Sequence, residues 1–256
     1  MDAHRIGRPQ LLALLHELAE APGEWISAYL RPSTVKSREA RPVLDSRVDP
    51  LLLDAAAAVE DEEVQREAAR YGTGLAVFHN GETTIVVVPP FEMTRDEVRK
   101  GQPFVQPLLQ SLAHPGRNLF VLVTWGAYVL ALYEDETLVR HKKGTGHIHP
   151  PHKKGGSSQA RFARRTENQR AEFLGRVGGH IDEQTAQEPV QRIFFGGNRL
   201  ILRPLTDESR FLRDHASAVA PRTLLVKRAT LDTLPVVLAD AYGAVVLRRH
   251  GPAPTA

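Results

Sequence analysis

The sequence predicts an α/β protein: a mixed β-sheet flanked by helices, with a smaller amino-terminal α+β region. Short β-branched and aromatic runs such as Thr84-Ile-Val-Val-Val and Asn118-Leu-Phe-Val-Leu-Val-Thr alternate with longer stretches of helical apolar period. The dipeptides Asn80-Gly81 and Trp125-Gly126 fall between adjacent apolar runs, where a tight turn joins two strands. A chain of 256 residues is long enough for one large or two small domains, each with its own core. The expected division is residues 1–114, residues 115–250 and a Pro- and Ala-rich disordered tail over 251–256.

The elements follow in order. Pro9 to Ala21 has the helical period and stops before Pro22-Gly23. Residues 31–50 are polar and interrupted by proline, as in an exposed linker. One Ala-rich helix is predicted from Leu51 to Arg70, with Glu and Arg on its outer side. Leu75 to His79 and Thr84 to Val88 form a hairpin about Asn80-Gly81, and a short helix lies near Val105 to Leu112. Strands at 118–124 and 127–133 turn at Trp125-Gly126; a loop, a helix over about 160–178, and alternating strand and helix to Leu247 complete the chain. No internal repeat is visible.

Composition excludes several classes of function. Without cysteine there is no disulfide scaffold, zinc ribbon or thiol catalysis. No apolar run is long enough to span a bilayer, and the start lacks a charged segment followed by an apolar one, so a cytoplasmic protein without membrane partners is expected. The net charge is only +3, with a pI near 9.3, but the positive charge is concentrated. Arg140, Lys142, Lys143, Lys153, Lys154, Arg161, Arg164, Arg165, Arg170 and Arg176 face only Glu167 and Glu172 over that stretch, a local field suited to an anionic partner.

The segment Pro151-His-Lys-Lys-Gly-Gly-Ser-Ser-Gln-Ala-Arg-Phe-Ala-Arg-Arg165 stands at the centre of that field. Gly155 and Gly156 allow positive φ and close approach of the backbone to a ligand, and Ser157, Ser158 and Gln159 supply neutral polar groups at the tip. Lys153, Lys154, Arg161, Arg164 and Arg165 surround the tip with charge, as a loop entering RNA requires. On the helix that follows, Phe162, Thr166, Gln169, Phe173 and Val177 share one side and are expected to pack on the sheet. Arg161, Arg165 and Asn168 lie about a quarter turn away and are expected to face outward.

The run of Gly155-Gly156, then Gln159, then Arg161-Phe162-Ala163-Arg164 resembles the catalytic loop and following helix of the eukaryotic and archaeal class I peptide-chain release factors. Asn118 to Thr124, Ala127 to Tyr133 and Thr137 to Lys142 resemble the three strands leading into that loop. Val190 to Gly197 and Arg222 to Lys227 resemble the strands after it, and Glu24 to Pro32 the first strand of the family's amino-terminal domain. The resemblance implies a release-factor middle-domain-like, ribonuclease H-like fold for the second region and a reduced amino-terminal domain for the first.

Three departures select a branch. An ungapped alignment places Ser157 where the family has its glutamine, with Gln159 two residues later. Gly155-Gly156-Ser157-Ser158-Gln159 is closer to the Gly-Ser-Gln tip of Vms-type factors of ribosome quality control. The sequence holds no counterpart of the domain that recruits a translational GTPase, and its amino-terminal part is too short for a full stop-codon reader. Val35-Lys-Ser-Arg resembles one codon-reading motif but follows the first strand too closely and is read as coincidence. The resemblance therefore implies a bacterial Vms-like factor, a monomer without cofactor, that hydrolyses peptidyl-tRNA in the peptidyl transferase centre of the large ribosomal subunit without reading a stop codon. The alternatives are endonucleolytic cleavage of the tRNA acceptor end, and a non-catalytic ribosome- or RNA-binding protein. A competing constellation, His147, His149 and His152, has imidazoles that can ligate zinc, but lysines flank it and no carboxylate lies within the loop, so no metal is expected.

Overall fold

The protein is described from a computed structural model, in which residues 1–37, 43, 49–113, 115–148, 158–186 and 189–251 are defined. It divides into two compact units, Met1–Pro115 with Ala239–Ala256, and Gly116–Leu238. Both are mixtures of sheet and helix, so the expected α/β class is observed.

In the first unit, six strands form an antiparallel sheet in the order β1-β10-β4-β3-β2-β5. They are β1 (Asp2–Ile6), β2 (Trp25–Leu30), β3 (Leu75–His79), β4 (Thr83–Val88), β5 (Glu97–Gly101) and β10 (Ala244–His250). β2 and β3 are buried along their whole length and β4 nearly so, which is why their sequences are mostly apolar, with Ser27, His79, Thr83 and Thr84 as the polar exceptions. The edge strands β1 and β5 are largely exposed, and no strand was expected at either position. Glu97, Arg99 and Lys100 cover β5 with ion pairs, a common way to keep an edge from pairing with another chain.

The helices of this unit are α1 (Arg8–Ala19), α2 (Pro32–Ser37), α3 (Pro50–Glu60), α4 (Glu62–Tyr71) and α5 (Gln106–Ala113). The single helix expected over Leu51 to Arg70 is two. The Asp61 carboxylate accepts hydrogen bonds from the backbone N–H of Glu63 at 3.0 Å and of Val64 at 3.4 Å, so the chain restarts there as a new helix. Ala55, Ala56 and Ala58 are buried with Ile26, Val77 and Val86, and their small side chains let α3 lie close on the sheet. Within the expected linker, α2 buries Thr34 and Val35. Val35, Lys36 and Ser37 of the four-residue motif belong to that helix, and Arg38 lies outside the described residues.

In the second unit, β6 (Arg117–Thr124), β7 (Ala127–Glu134), β8 (Thr137–Thr145) and β9 (Arg192–Gly197) form a sheet in the order β8-β7-β6-β9. β6 pairs in parallel with β9 and antiparallel with β7, and β7 antiparallel with β8. Gly126, at φ 93°, makes the first turn and Asp135, at φ 54°, the second. The long helix α6 (Ser158–Thr185) crosses from β8 to β9, followed by α7 (Arg199–Glu208) and α8 (Arg210–Asp214). Phe173, Leu174, Val177 and Ile181 of α6 close one core with Leu119, Val121 and Leu130 of the sheet. α9 (Leu234–Ala241) leads to β10.

Two expectations are corrected by this topology. Ala244 to Leu247 was assigned to the second region, but β10 pairs with β1 and β4 in the first unit's sheet. Arg222 to Lys227 was read as a strand. Leu224 makes a single parallel bridge to Gly196, and Pro221 just before it has no N–H to extend a ladder. The burial alternation that suggested a strand is real all the same: Leu224 and Val226 are buried and Leu225 is exposed. Residues 252–256 of the expected tail lie outside the described residues.

Candidate functional site

The candidate loop joins β8 to α6. β8 ends at Thr145; Gly146 N–H donates to the Gly126 carbonyl at 2.9 Å, and Ile148 packs against the core of the unit. Residues 149–157, which include Lys153, Lys154, Gly155, Gly156 and Ser157, lie outside the described residues. The chain resumes at Ser158, so Ser158 and Gln159 belong to the first turn of α6. Backbone N–H groups in a first helical turn have no partner within the helix and carry the positive end of its dipole.

Beyond that turn Arg161, Arg164 and Arg165 are exposed, as are Glu167 and Asn168. Phe173 and Val177 are fully buried and Thr166 and Gln169 half-buried, as expected of the packing side of the helix; the side chain of Phe162, the first of that set, lies outside the described residues. Among its described side chains, α6 is exposed and basic at Arg161, Arg164 and Arg165 and belongs to the core from Phe173 on. On β8, Arg140, His141 and Lys143 are exposed along the outer strand of the sheet, adding charge beside the root of the loop.

The root itself is closely fitted. Tyr128 on β7 lies across from Gly144 on β8, and a Cβ added at Gly144 would sit 2.3 Å from the Tyr128 hydroxyl oxygen. At Gly146 an added Cβ would meet the Phe173 ring at 2.5 Å. The Tyr128 hydroxyl is 2.6 Å from Nδ1 of His180 on α6, and burial pushes its pKa up, so it remains a hydroxyl. Phe173 is also in edge contact with Tyr128, with ring centroids 6.0 Å apart, and the Arg170 guanidinium lies 4.7 Å from the centroid of Trp125.

The opposite side of α6 is held as firmly. Gly178 lies so close to α7 that a Cβ there would come 2.6 Å from the Glu208 carbonyl oxygen. The Asp182 carboxylate accepts hydrogen bonds from Ser209 Oγ at 2.7 Å, Phe211 N–H at 3.0 Å and Arg210 N–H at 3.1 Å. Of these supporting residues the sequence pattern marks Phe173 as a packing position, but it gives no such signal for Tyr128, Gly144, His180, Gly178 or Asp182. Tyr128 and His180 are 52 positions apart, and neither stands in a motif that would pair them.

His147 is exposed beside the root, and His149 and His152 lie outside the described residues. Among the described residues no group of three or more His, Asp or Glu side chains gathers as a metal ion requires, and no helix is long and apolar enough to cross a membrane.

An exposed basic helix behind a glycine loop, carried on a small mixed sheet, belongs to a translation protein of the release-factor class. The model of the Actinobacteria/chloroflexi VLRF1 release factor matches residues 116–246, and the chain belongs to that family. Among solved structures, an archaeal translation termination factor, aRF1, aligns with TM-score 0.39 and 16% identity over 92% of this chain and 70% of its own. A second archaeal protein aligns with TM-score 0.32 and 15% identity, covering 90% and 69% of the two chains. Pelota from Archaeoglobus fulgidus aligns with TM-score 0.27 and 8% identity, covering 93% and 62%. No curated protein matches the chain.

Proposed function

We propose that this release factor hydrolyses the ester of peptidyl-tRNA on the large ribosomal subunit, freeing stalled nascent chains without reading a stop codon. The observation that carries the reading is the start of α6, where Ser158 and Gln159 form the first turn and exposed Arg161, Arg164 and Arg165 follow directly. Membership of a release-factor family supports it. Such a factor would work in the cytoplasm, with ribosomal RNA and peptidyl-tRNA as its partners.

Ester hydrolysis requires water to attack the carbonyl carbon while negative charge grows on the carbonyl oxygen and then on the leaving ribose 3′-oxygen. Gln159 has no proton to exchange near neutral pH, so its contribution is geometric and electrostatic. Its backbone N–H, in the first turn, or its side-chain amide would donate to a developing oxyanion or hold the water in line. Gly155 and Gly156 would let the backbone reach the ester, and Ser157 and Ser158 would offer hydroxyls beside it. Lys153, Lys154 and the three arginines would neutralise phosphates along the path of entry. The ribosome supplies the rest of the active site.

The test is peptide release from large subunits carrying labelled peptidyl-tRNA. Gln159→Ala is expected to slow release by about 10²-fold while leaving the melting temperature and subunit binding unchanged. The released tRNA is expected to keep an intact 3′ end. A shortened tRNA would identify nucleolytic cleavage instead, and release at the parental rate in Gln159→Ala and Ser157→Ala alike would end the hydrolase reading.

A further inference from the structure

Among the described residues of α6 the first fully buried side chain is Phe173; from Arg161 to Glu172 the described side chains are exposed or half-buried, with Arg170 over the Trp125 ring. Fourteen helical residues at ~1.5 Å each make an arm of ~21 Å. A tilt of about 5° at its base would therefore carry Gln159 through about 2 Å, and catalytic geometry tolerates less than that. Whatever fixes the angle of α6 on the sheet also fixes where the backbone of Ser158 and Gln159 goes.

On the sheet side of α6, Tyr128 bears on that angle. It spans the gap between the two elements that hold the loop: its ring lies against Gly144 on β8, and its hydroxyl meets His180 Nδ1 on α6 at 2.6 Å. Phe173, seated against Gly146 and in edge contact with Tyr128, is the second point of support along the same helix. Two contacts separated along a rod resist tilting, whereas one would act as a pivot. Neither Gly144 nor Gly146 has a positive φ, so glycine is needed there for clearance and not for backbone conformation.

We infer that Tyr128, through His180 and the clearance at Gly144, is a positioning residue that sets the angle of α6 and thereby aims the tip at the ester. This rests on the release reading for its functional consequence, but the structural part is measurable without it. Tyr128→Phe removes only the hydroxyl. Gly144→Ala drives a methyl into the Tyr128 ring, with Cε1 and Cζ each at 2.5 Å from the new Cβ. Both changes leave the residues of the loop and of the basic helix start in place.

Because the chain has no cysteine, spin labels at Arg161→Cys and Thr137→Cys report the arm-to-sheet distance without background. The expected result is a distribution in Gly144→Ala shifted or broadened by about 2 Å relative to the parent, with a smaller change in Tyr128→Phe. In the unlabelled proteins on large subunits, kcat for release is expected to fall tenfold or more in Gly144→Ala with KM unchanged. Val86→Ala, a substitution in the separate core of the first unit, serves as the control: it lowers the melting temperature but leaves kcat at the parental value. Unchanged distances in both variants would overturn the inference. So would altered distances with parental kcat, or a fall in kcat matched by the Val86→Ala control. If the parent itself releases no peptide, the release reading fails and the distance measurement still decides whether Tyr128 sets the helix angle.

Discussion

Between Phe173 and Thr185, α6 buries Phe173, Leu174, Val177, Ile181 and Thr185, packs closely on α7 at Gly178, and is hydrogen-bonded to β7 and to the start of α8. Between Arg161 and Asn168, each described side chain is exposed or half-buried, and three of them are arginines. The helix is continuous, yet among the described residues only its distal half adds fully buried side chains to the core. The difference teaches that a helix can present an exposed basic stretch when its distal half is over-determined. Basic residues at the near half then cost the fold almost nothing, and charge can be spent there on a partner.

The sharpest break of this contrast is Phe173→Ala against Arg161→Ala. The first empties a fully buried site and is expected to lower unfolding free energy by about 3–5 kcal/mol, whereas the second changes it by less than about 0.5 kcal/mol. Urea denaturation measures both, and equal effects would refute the division of the helix.

A finer break uses adjacent glycines in the packed half. Gly178→Ala would press a methyl onto the Glu208 backbone and is expected to cost about 1–3 kcal/mol. Gly179, one residue on, has nothing within 4 Å of an added Cβ, so Gly179→Ala is expected to raise stability by about 0.5–1 kcal/mol through helix propensity. A common sign for the two in thermal melts would mean that α7 is not seated on Gly178.

In the exposed half the readout is binding. If Arg161 and Arg165 each neutralise one phosphate, the double alanine variant is expected to flatten the log–log salt dependence of ribosome association by about 1.4–1.8, with the melting temperature unchanged. An unaltered slope would remove phosphate contact as their role.

The smallest effect lies in the first unit, where His79 is buried between the hairpin strands. Its Nδ1 is 2.9 Å from Thr84 Oγ1, and Gly81 N–H donates to its Nε2 at 3.1 Å. Burial holds its pKa below the ordinary imidazole value, against the opposing charge of Asp54. The folded state thus prefers the neutral ring. That contribution is complete above the unfolded-state value of about 6.5, and is lost as pH falls from there through the lowered folded value. The difference in melting temperature between the parent and His79→Gln is expected to narrow between pH 7.5 and pH 5.5. A constant difference would show that His79 does not titrate with unfolding.

What could be read from the sequence was what local spacing encodes. The hairpin about Asn80-Gly81, the strand pair about Trp125-Gly126, the packing of Phe173 and Val177 and the exposure of Arg161 and Arg165 all follow from periods of two or 3.6 and from turn chemistry. So did the glycine-rich basic segment and its family resemblance. β1 and β5 were invisible because edge strands carry no alternating apolar face, and the break at Asp61 was hidden in an uninterrupted helical composition. Tertiary structure alone decided that β10 returns to the first sheet, that Tyr128 meets His180, and that Gly144, Gly146 and Gly178 are points of clearance. The physical reason is common to all three. Each depends on atoms brought within a few ångströms by segments far apart in the chain, and no local period records which distant surface a residue will meet.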